Sequence, residues 1–400
     1  MRTKKKKRNI SMILTVLFAL LSVISILLYS MVWFTRLQQE NTSAASLQSA
    51  LSSHIQHSLS KIEYPAHTKI QDLLDQMTIE EKVGQLFLAR CPQEKAIEKI
   101  NTYHLGGYLL FEQDFSNKSK EQIQHTIQSY QQASSIGLWI GADEEGGTVN
   151  RISTNPQLRA VPFWSPQDLY QEGGYELIRS DTKEKCQLLQ ELGVNLNFAP
   201  VCDVCDQPAD FIYPRTFGKD ANTTSTYVQV VVQEMKQQKI GSVLKHFPGY
   251  GNNLDTHTGI SHDQRPYTTF ISNDFLPFQA GINAGADLVL VSHNIVECMD
   301  DSSPASLSAN VHSILRNDLG FTGVIITDDL AMQAIQDNCP KEEIAIRALL
   351  AGNDVLCCTD FEEQIQYVLN AVQDGTISEA RIDVSLIRIL QCKEQLGILK

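Results

Sequence analysis

The chain has 400 residues, 33 of them basic and 46 acidic, for a formal net charge of −13. Six of the basic residues sit in 1–9, "MRTKKKKRN", which leaves a body of 27 basic against 46 acidic residues, a net of −19. Such a body argues against nucleic acid as a partner, because phosphate binding needs clustered Lys and Arg; the length suits one large domain or two ordinary ones.

The basic cluster at 1–9 precedes a run without charge, Ile10 to Phe34, "ISMILTVLFALLSVISILLYSMVWF". A bilayer span needs about 20 apolar residues as a helix, and this run exceeds that. Tyr29 and Trp33 fall near its far end, where interfacial aromatics anchor a span, and the positive-inside rule places 1–9 in the cytoplasm. The expectation is an uncleaved single-pass anchor at 10–34 with the body outside the cell. A cleaved signal peptide is the rival, with a shorter apolar core and a small-residue cleavage site. Residues 35–65 are polar and rich in Ser and Gln, and read as a stalk. Leu47, Leu51, Ile55 and Leu59 give it helical spacing.

The domain proper, 66–400, opens near "IQDLLDQMTIEEKVGQLFL", where Thr78 and Glu81 make a capping box. Eight apolar runs then alternate with amphipathic stretches: 84–89, 106–111, 137–143, 193–200, 240–246, 286–293, 323–329 and 353–360. Helices are expected over segments such as 120–133, 227–238 and 341–351. Runs that are apolar throughout suit strands buried on both faces of a parallel sheet. Eight βα units predict an α/β fold, a (β/α)8 TIM-type barrel, and no GxGxxG follows an early strand to favour a doubly wound sheet.

Active sites of such barrels lie at the C-terminal ends of the strands. The runs end on Asp143 and Glu144, Asn197, Lys245 and His246, His293, Asp328 and Asp329, and Asp360. Asp328 follows "GVIIT" and can attack an electrophilic carbon or hold a cation; equally, either aspartate of the pair can cap the helix "LAMQAI". The loop "KHFPGYGNNLDTHTGISHD", 245–263, holds Asp255 and His257 two residues apart. In an extended segment these point to one side, so the carboxylate can fix the imidazole tautomer and raise its basicity. An exposed loop pair, or a metal site with His262 and Asp263, remains open. Asp143 can accept hydrogen bonds from sugar hydroxyls, while Arg151 and Arg215 are weak signals alone. The nine cysteines show no disulfide framework and read as mostly structural.

The segments "MTIEEKVGQL", "GADEEGGTVNRI", "NLNFAPVCDV", "PRTFG", "KHFPGYGNNLDTHT" and "IITDDLAM" resemble glycoside hydrolase family 3, above all its short β-N-acetylglucosaminidases that act on peptidoglycan. The resemblance covers about residues 70–370 in order. It implies retaining, exo-acting removal of terminal GlcNAc, with Asp328 as nucleophile and His257, polarised by Asp255, as acid/base. Asp143, Arg151, Arg215, Lys245 and His246 match the family's residues for the terminal sugar. Thr148 stands where an Arg is common and Tyr250 where a His is common, which bears on subsite preference. No cofactor and no metal is implied. The expected partners are a GlcNAc-containing glycan and the membrane. The alternative activity is a phosphorylase on the same site, or a β-glycosidase of other sugar specificity. A metal hydrolase is disfavoured because the first strand ends "FLARC" without HxH, and a non-enzymatic glycan-binding protein because the nucleophile and dyad are all present.

Overall fold

Each of the eight apolar runs supplies one strand of a single parallel sheet: Phe87–Arg90 (β1), Gly107–Leu110 (β2), Trp139–Ala142 (β3), Leu196–Asn197 (β4), Gly241–Phe247 (β5), Leu288–Val291 (β6), Val324–Thr327 (β7) and Leu356–Cys358 (β8). The computed structural model describes residues 69–253 and 259–400. Strands β1 to β7 pair in chain order, and β8 lies against β1 with Phe87 opposite Leu356. A bridge between Ile326 and Val355, with Thr327 N–H donating to the Val355 carbonyl at 3.1 Å, closes the ring. The expected eight-stranded α/β barrel is therefore present.

Helices cover the outside of the barrel, and their sequence signals account for them. Ser119 and Gln122 form a reciprocal capping box that starts Lys120–Ala133 where the periodicity places it. Asp220 caps Ala221–Gln237, which starts six residues before the expected 227. The third expected helix is Ile344–Ala351, entered by a 3-10 turn at Lys341–Glu343. The barrel side chains Leu88, Ile140, Val243, Val289 and Ile325 are all fully buried, each contributing roughly 1.5–3 kcal/mol over exposure. At the N-terminal end of the strands Lys393 is buried, donating to Gln85 Oε1 at 2.8 Å and the Gly106 carbonyl at 2.9 Å.

Three local readings change. The run 84–89 begins as helix, because the Thr78–Glu81 capping box drives Ile79–Gln85 and the strand starts only at Phe87. Of 193–200, only Leu196–Asn197 pairs as strand; the chain stays beside β5 through the Val201–Lys245 bridge. The helix after Asp328 and Asp329 is reduced to Gln333–Gln336, with Met332 at its N-cap, so neither aspartate caps it.

The nine cysteines are all free thiols, Cys298 exposed and the others buried. Among the described residues no helix is long and apolar enough to cross a membrane. The expected tail, anchor and stalk at 1–9, 10–34 and 35–65 lie outside the described residues.

Candidate active site

A cavity of about 270 Å³ opens at the C-terminal mouth of the barrel, at the small end for a ligand pocket. Asp143, Arg151, Arg215, Lys245, His246 and Asp328 all line it, although they come from four different βα units. Asp255 and His257 lie outside the described residues. Leu109, Phe198, Leu290, Met332 and Cys357 supply apolar wall.

Lys245 and His246 are consecutive, yet both reach the cavity. In a regular strand they would face opposite sides. The β5–β6 register shifts between Leu244 and Phe247, a bulge that gives β5 one extra residue and re-aims its side chains.

Lys245 is nearly fully buried, and its Nζ lies 2.6 Å from both Asp143 Oδ1 and Glu145 Oε1. Arg215 grips Glu145 with both ends of its fork, Nε to Oε2 at 3.1 Å and Nη2 to Oε1 at 2.7 Å. Burial opposes ionisation of Glu145, but Arg215 and Lys245 outweigh it and hold its carboxyl at about 2. Buried pairs of this kind seldom add net stability, so their concentration at a cavity points to a functional site. Lys245 keeps one N–H uncommitted by these two contacts, and Arg215 keeps donors beyond its fork, so the floor of the cavity offers donors to a polyhydroxylated ligand.

His246 is held from behind. Its Nδ1 lies 2.7 Å from Asp203 Oδ2, and Asp203 Oδ1 accepts the Tyr250 N–H at 2.7 Å. Tyr250 packs edge-on against the His246 ring, with centroids 5.7 Å apart. Glu145 and Asp203 are the residues that sequence reasoning missed. Both stand inside quoted segments, "GADEEGG" and "APVCDV", but nothing in spacing separates a supporting carboxylate from a surface one.

The two carboxylates that end β7 have separate work. Asp328 is half-buried at the mouth, its Oδ1 accepting the Asp329 N–H at 2.9 Å. The Asp329 carboxylate is spent on the fold, accepting from Ala331 N–H and Thr359 N–H, each at 3.0 Å, and from the Thr359 hydroxyl.

Other polar strand ends are structural. Glu144 is fully buried and accepts from the backbone N–H of Arg151 (2.9 Å), Ile152 (2.7 Å) and Ser153 (3.2 Å), so it shapes the turn that carries Arg151. Burial raises the Glu144 carboxyl, and these hydrogen bonds oppose the rise. The turn itself uses Gly146 and Gly147 at φ +100° and +67°, where a side chain would be strained. His293 is fully buried between the Ser306 hydroxyl (2.8 Å) and the Asp329 carbonyl (3.0 Å). Asp263 is claimed by Arg265, which also chelates Asp274 and donates to the Gly249 carbonyl at 3.1 Å. Asn253 donates to Asp263 Oδ2 at 2.7 Å, so the residues flanking 254–258 are tied to one scaffold. His262 pairs instead with Glu297 at 3.3 Å, and among the described residues no cluster of His, Cys, Asp or Glu is disposed to hold a metal.

Comparison with known proteins agrees with this geometry. Residues 78–392 match the glycosyl hydrolase family 3 N-terminal domain. The chain is 28% identical to the β-hexosaminidase LpqI of Mycobacterium tuberculosis over 306 residues, 74% of this chain and 77% of that one. It is 32% identical to a β-hexosaminidase of Xanthomonas campestris over 234 residues, 58% of this chain and 70% of that one. Among solved structures, a family 3 β-N-acetylglucosaminidase from a Paenibacillus species superposes with a TM-score of 0.75 at 29% identity, covering 80% of this chain and 63% of that one. The structure of M. tuberculosis LpqI gives 0.74 at 26% identity, covering 82% and 96%.

Proposed function

Since the chain belongs to glycoside hydrolase family 3 and is a hydrolytic enzyme, we propose that it is a retaining exo-β-N-acetylglucosaminidase that removes terminal GlcNAc from peptidoglycan-derived glycans. The observation that carries this reading is the convergence of Asp328 with Asp143, Lys245, His246 and Arg215 on one small cavity. Such a cavity suits one terminal sugar, which supports exo action. The β-hexosaminidase relatives named above support the amino sugar.

In this reading the Asp143 carboxylate accepts from sugar hydroxyls, and Lys245 and Arg215 donate to them. The Asp328 carboxylate attacks the anomeric carbon, forming a C1–O ester as the bond from C1 to the leaving oxygen breaks. His257 gives its proton to that oxygen, then takes one from a water that attacks C1 and releases Asp328. Two displacements retain the β configuration. An imidazole in place of a second carboxylate departs from the usual pair of acids. It avoids like-charge repulsion beside the nucleophile, so both groups can hold working protonation states near neutral pH. Asp255 orients the imidazole. Residues 10–34 anchor the enzyme on the outer face of the membrane, where the glycan is found.

The test is turnover of nitrophenyl β-GlcNAc with and without phosphate, the products resolved by NMR. Release of β-GlcNAc as first product supports the reading. The α anomer would overturn retention, and a sugar phosphate as the main product would make the enzyme a phosphorylase.

A further inference from the structure

The β1–β2 side of the cavity carries a cation that the chemistry above does not use. Arg90 ends β1 and is exposed, and its guanidinium carbon lies 4.3 Å from the centroid of the Phe111 ring. Arg151 approaches the same ring at 5.6 Å. All three residues line the cavity. Among the described residues the Arg90 side chain has no ion pair and no hydrogen bond. The Asp114 carboxylate lies within its electrostatic reach, but is engaged by the Phe111 N–H at 2.8 Å and by Gln93 at 3.5 Å. Arg151 Nε is buried without a hydrogen-bond partner, and its 4.0 Å separation from Asp143 Oδ2 is too long for one.

The geometry points to an oxyanion subsite at this rim, in which Arg90 and Arg151, on either approach to Phe111, bind a carboxylate or phosphate group that accompanies the sugar. The inference rests on the glycosidase reading for the place of the sugar. An arginine does not lose its proton, so Arg90 is a standing positive charge. Phe111 lies under the guanidinium, and that contact leaves its five N–H donors uncommitted. Ordering a long side chain is a cost of binding, and the Phe111 contact meets part of it before the ligand arrives. Deeper in the cavity the charges are already matched: Lys245 and Arg215 face Asp143 and Glu145. Asp328 and Asp329 make the β7 side negative, so an anion is favoured only beside Arg90 and Arg151. A wholly neutral glycan would leave the Arg90 guanidinium without an ionic partner and Arg151 Nε without a hydrogen bond. Two sources fit the chemistry: a carboxylate on the aglycone, such as the lactyl ether of N-acetylmuramic acid, and free inorganic phosphate.

The experiment compares full-length wild type with Arg90→Ala and Arg90→Lys on three substrates: neutral nitrophenyl β-GlcNAc, GlcNAc β-linked to N-acetylmuramic acid, and the methyl ester of that disaccharide. Neutral turnover is also titrated with inorganic phosphate. A carboxylate source predicts that wild type prefers the acid over the ester in kcat/KM by about tenfold or more, mainly through KM. Arg90→Ala brings that ratio to about one, and Arg90→Lys, which keeps the charge but not the fork, falls between. A phosphate source predicts a saturable phosphate effect on neutral turnover that Arg90→Ala removes. The subsite is overturned if wild type shows neither effect, or if the effect persists in Arg90→Ala. Calorimetric binding of acid and ester to the same proteins reads the subsite without turnover. Loss of the glycosidase reading, seen as no hydrolysis of any substrate, is thereby distinguished from loss of the subsite.

Discussion

Asp203 and His246 share a buried hydrogen bond, 2.7 Å from Oδ2 to Nδ1, and it decides what His246 presents to the cavity. The other ring nitrogen, Nε2, lies 3.2 Å from Arg215 Nη2. A guanidinium can only donate, so Nε2 must accept, and the ring proton sits on Nδ1 and is donated to Asp203. His246 is thus held in one tautomer from both sides, by Asp203 at Nδ1 and by Arg215 at Nε2.

Asp203→Ala should therefore lower kcat/KM by about 10- to 100-fold, the size of effect known for the carboxylate behind a metal-bound histidine, whose ring is oriented in the same way. Most of the loss should appear in KM, and Asp203→Asn, whose carbonyl still accepts from Nδ1–H, should be milder. Steady-state kinetics at matched folded fraction check this, and nitrogen-15 chemical shifts of His246 report the tautomer directly.

Asp328→Asn is expected to fold normally and to lose turnover by several orders of magnitude, because the covalent path disappears. Asp329→Asn should do the reverse. Its carboxylate accepts from Ala331, Thr359 N–H and the Thr359 hydroxyl, so it should cost melting temperature more than kcat. Kinetics and thermal melts on both variants separate the two roles; a dead, well-folded Asp329→Asn would reassign the nucleophile.

Acid should unfold the protein partly through Glu145. Its carboxyl falls to about 2 in the folded state from an ordinary 4.5, so the folded state prefers the ionised form. That stability is fully present above about pH 4.5 and is lost as pH falls toward 2. Glu145→Gln should cost about 3–5 kcal/mol at neutral pH, as expected for breaking a buried ion pair on one side. It should also flatten this acid segment of the stability curve. Urea unfolding from pH 2 to pH 7 measures both.

The His257→Ala variant should retain its first step best on nitrophenyl substrates, whose leaving group needs little protonation, and should accumulate the glycosyl-enzyme. Azide, which needs no deprotonation, should restore part of the rate and give a β-configured azide product. Asp255→Ala should show a weaker form of the same pattern, and the double variant should be little worse than His257→Ala. A His257→Ala enzyme with unchanged deglycosylation and no azide response would assign the acid/base elsewhere.

Full-length protein should stay in the membrane fraction after a high-salt wash, whereas a chain starting near residue 60 should be soluble and fully active. Recovery of the mature enzyme in the medium would point to cleavage after the apolar run.

The sequence by itself determined the barrel and most of its mouth. Eight uninterrupted apolar runs separated by amphipathic segments leave few packings other than parallel strands covered by helices, and the order of the strands follows from short connections. Because a strand end in such a barrel is also the rim of a cavity, the polar residues that stop the runs at Asp143, Lys245, His246 and Asp328 were legible as cavity-lining residues, although the same signal also marked Glu144 and His293, which serve the fold. What the tertiary structure decided is how each polar group is used, since that depends on partners distant in the chain. Glu144 and Glu145 are neighbours in sequence; one orders a turn by accepting backbone N–H groups, and the other balances Lys245, a hundred residues away. Asp328 and Asp329 divide in the same way. A strand alternates its side chains, yet Lys245 and His246 share one cavity where the β5–β6 register shifts, and a bulge depends on the register of the neighbouring strand. The Asp203 support for His246 and the Arg90–Phe111 stack likewise join separate βα units. Such contacts follow from how the strands pack around the ring, and no local spacing records them.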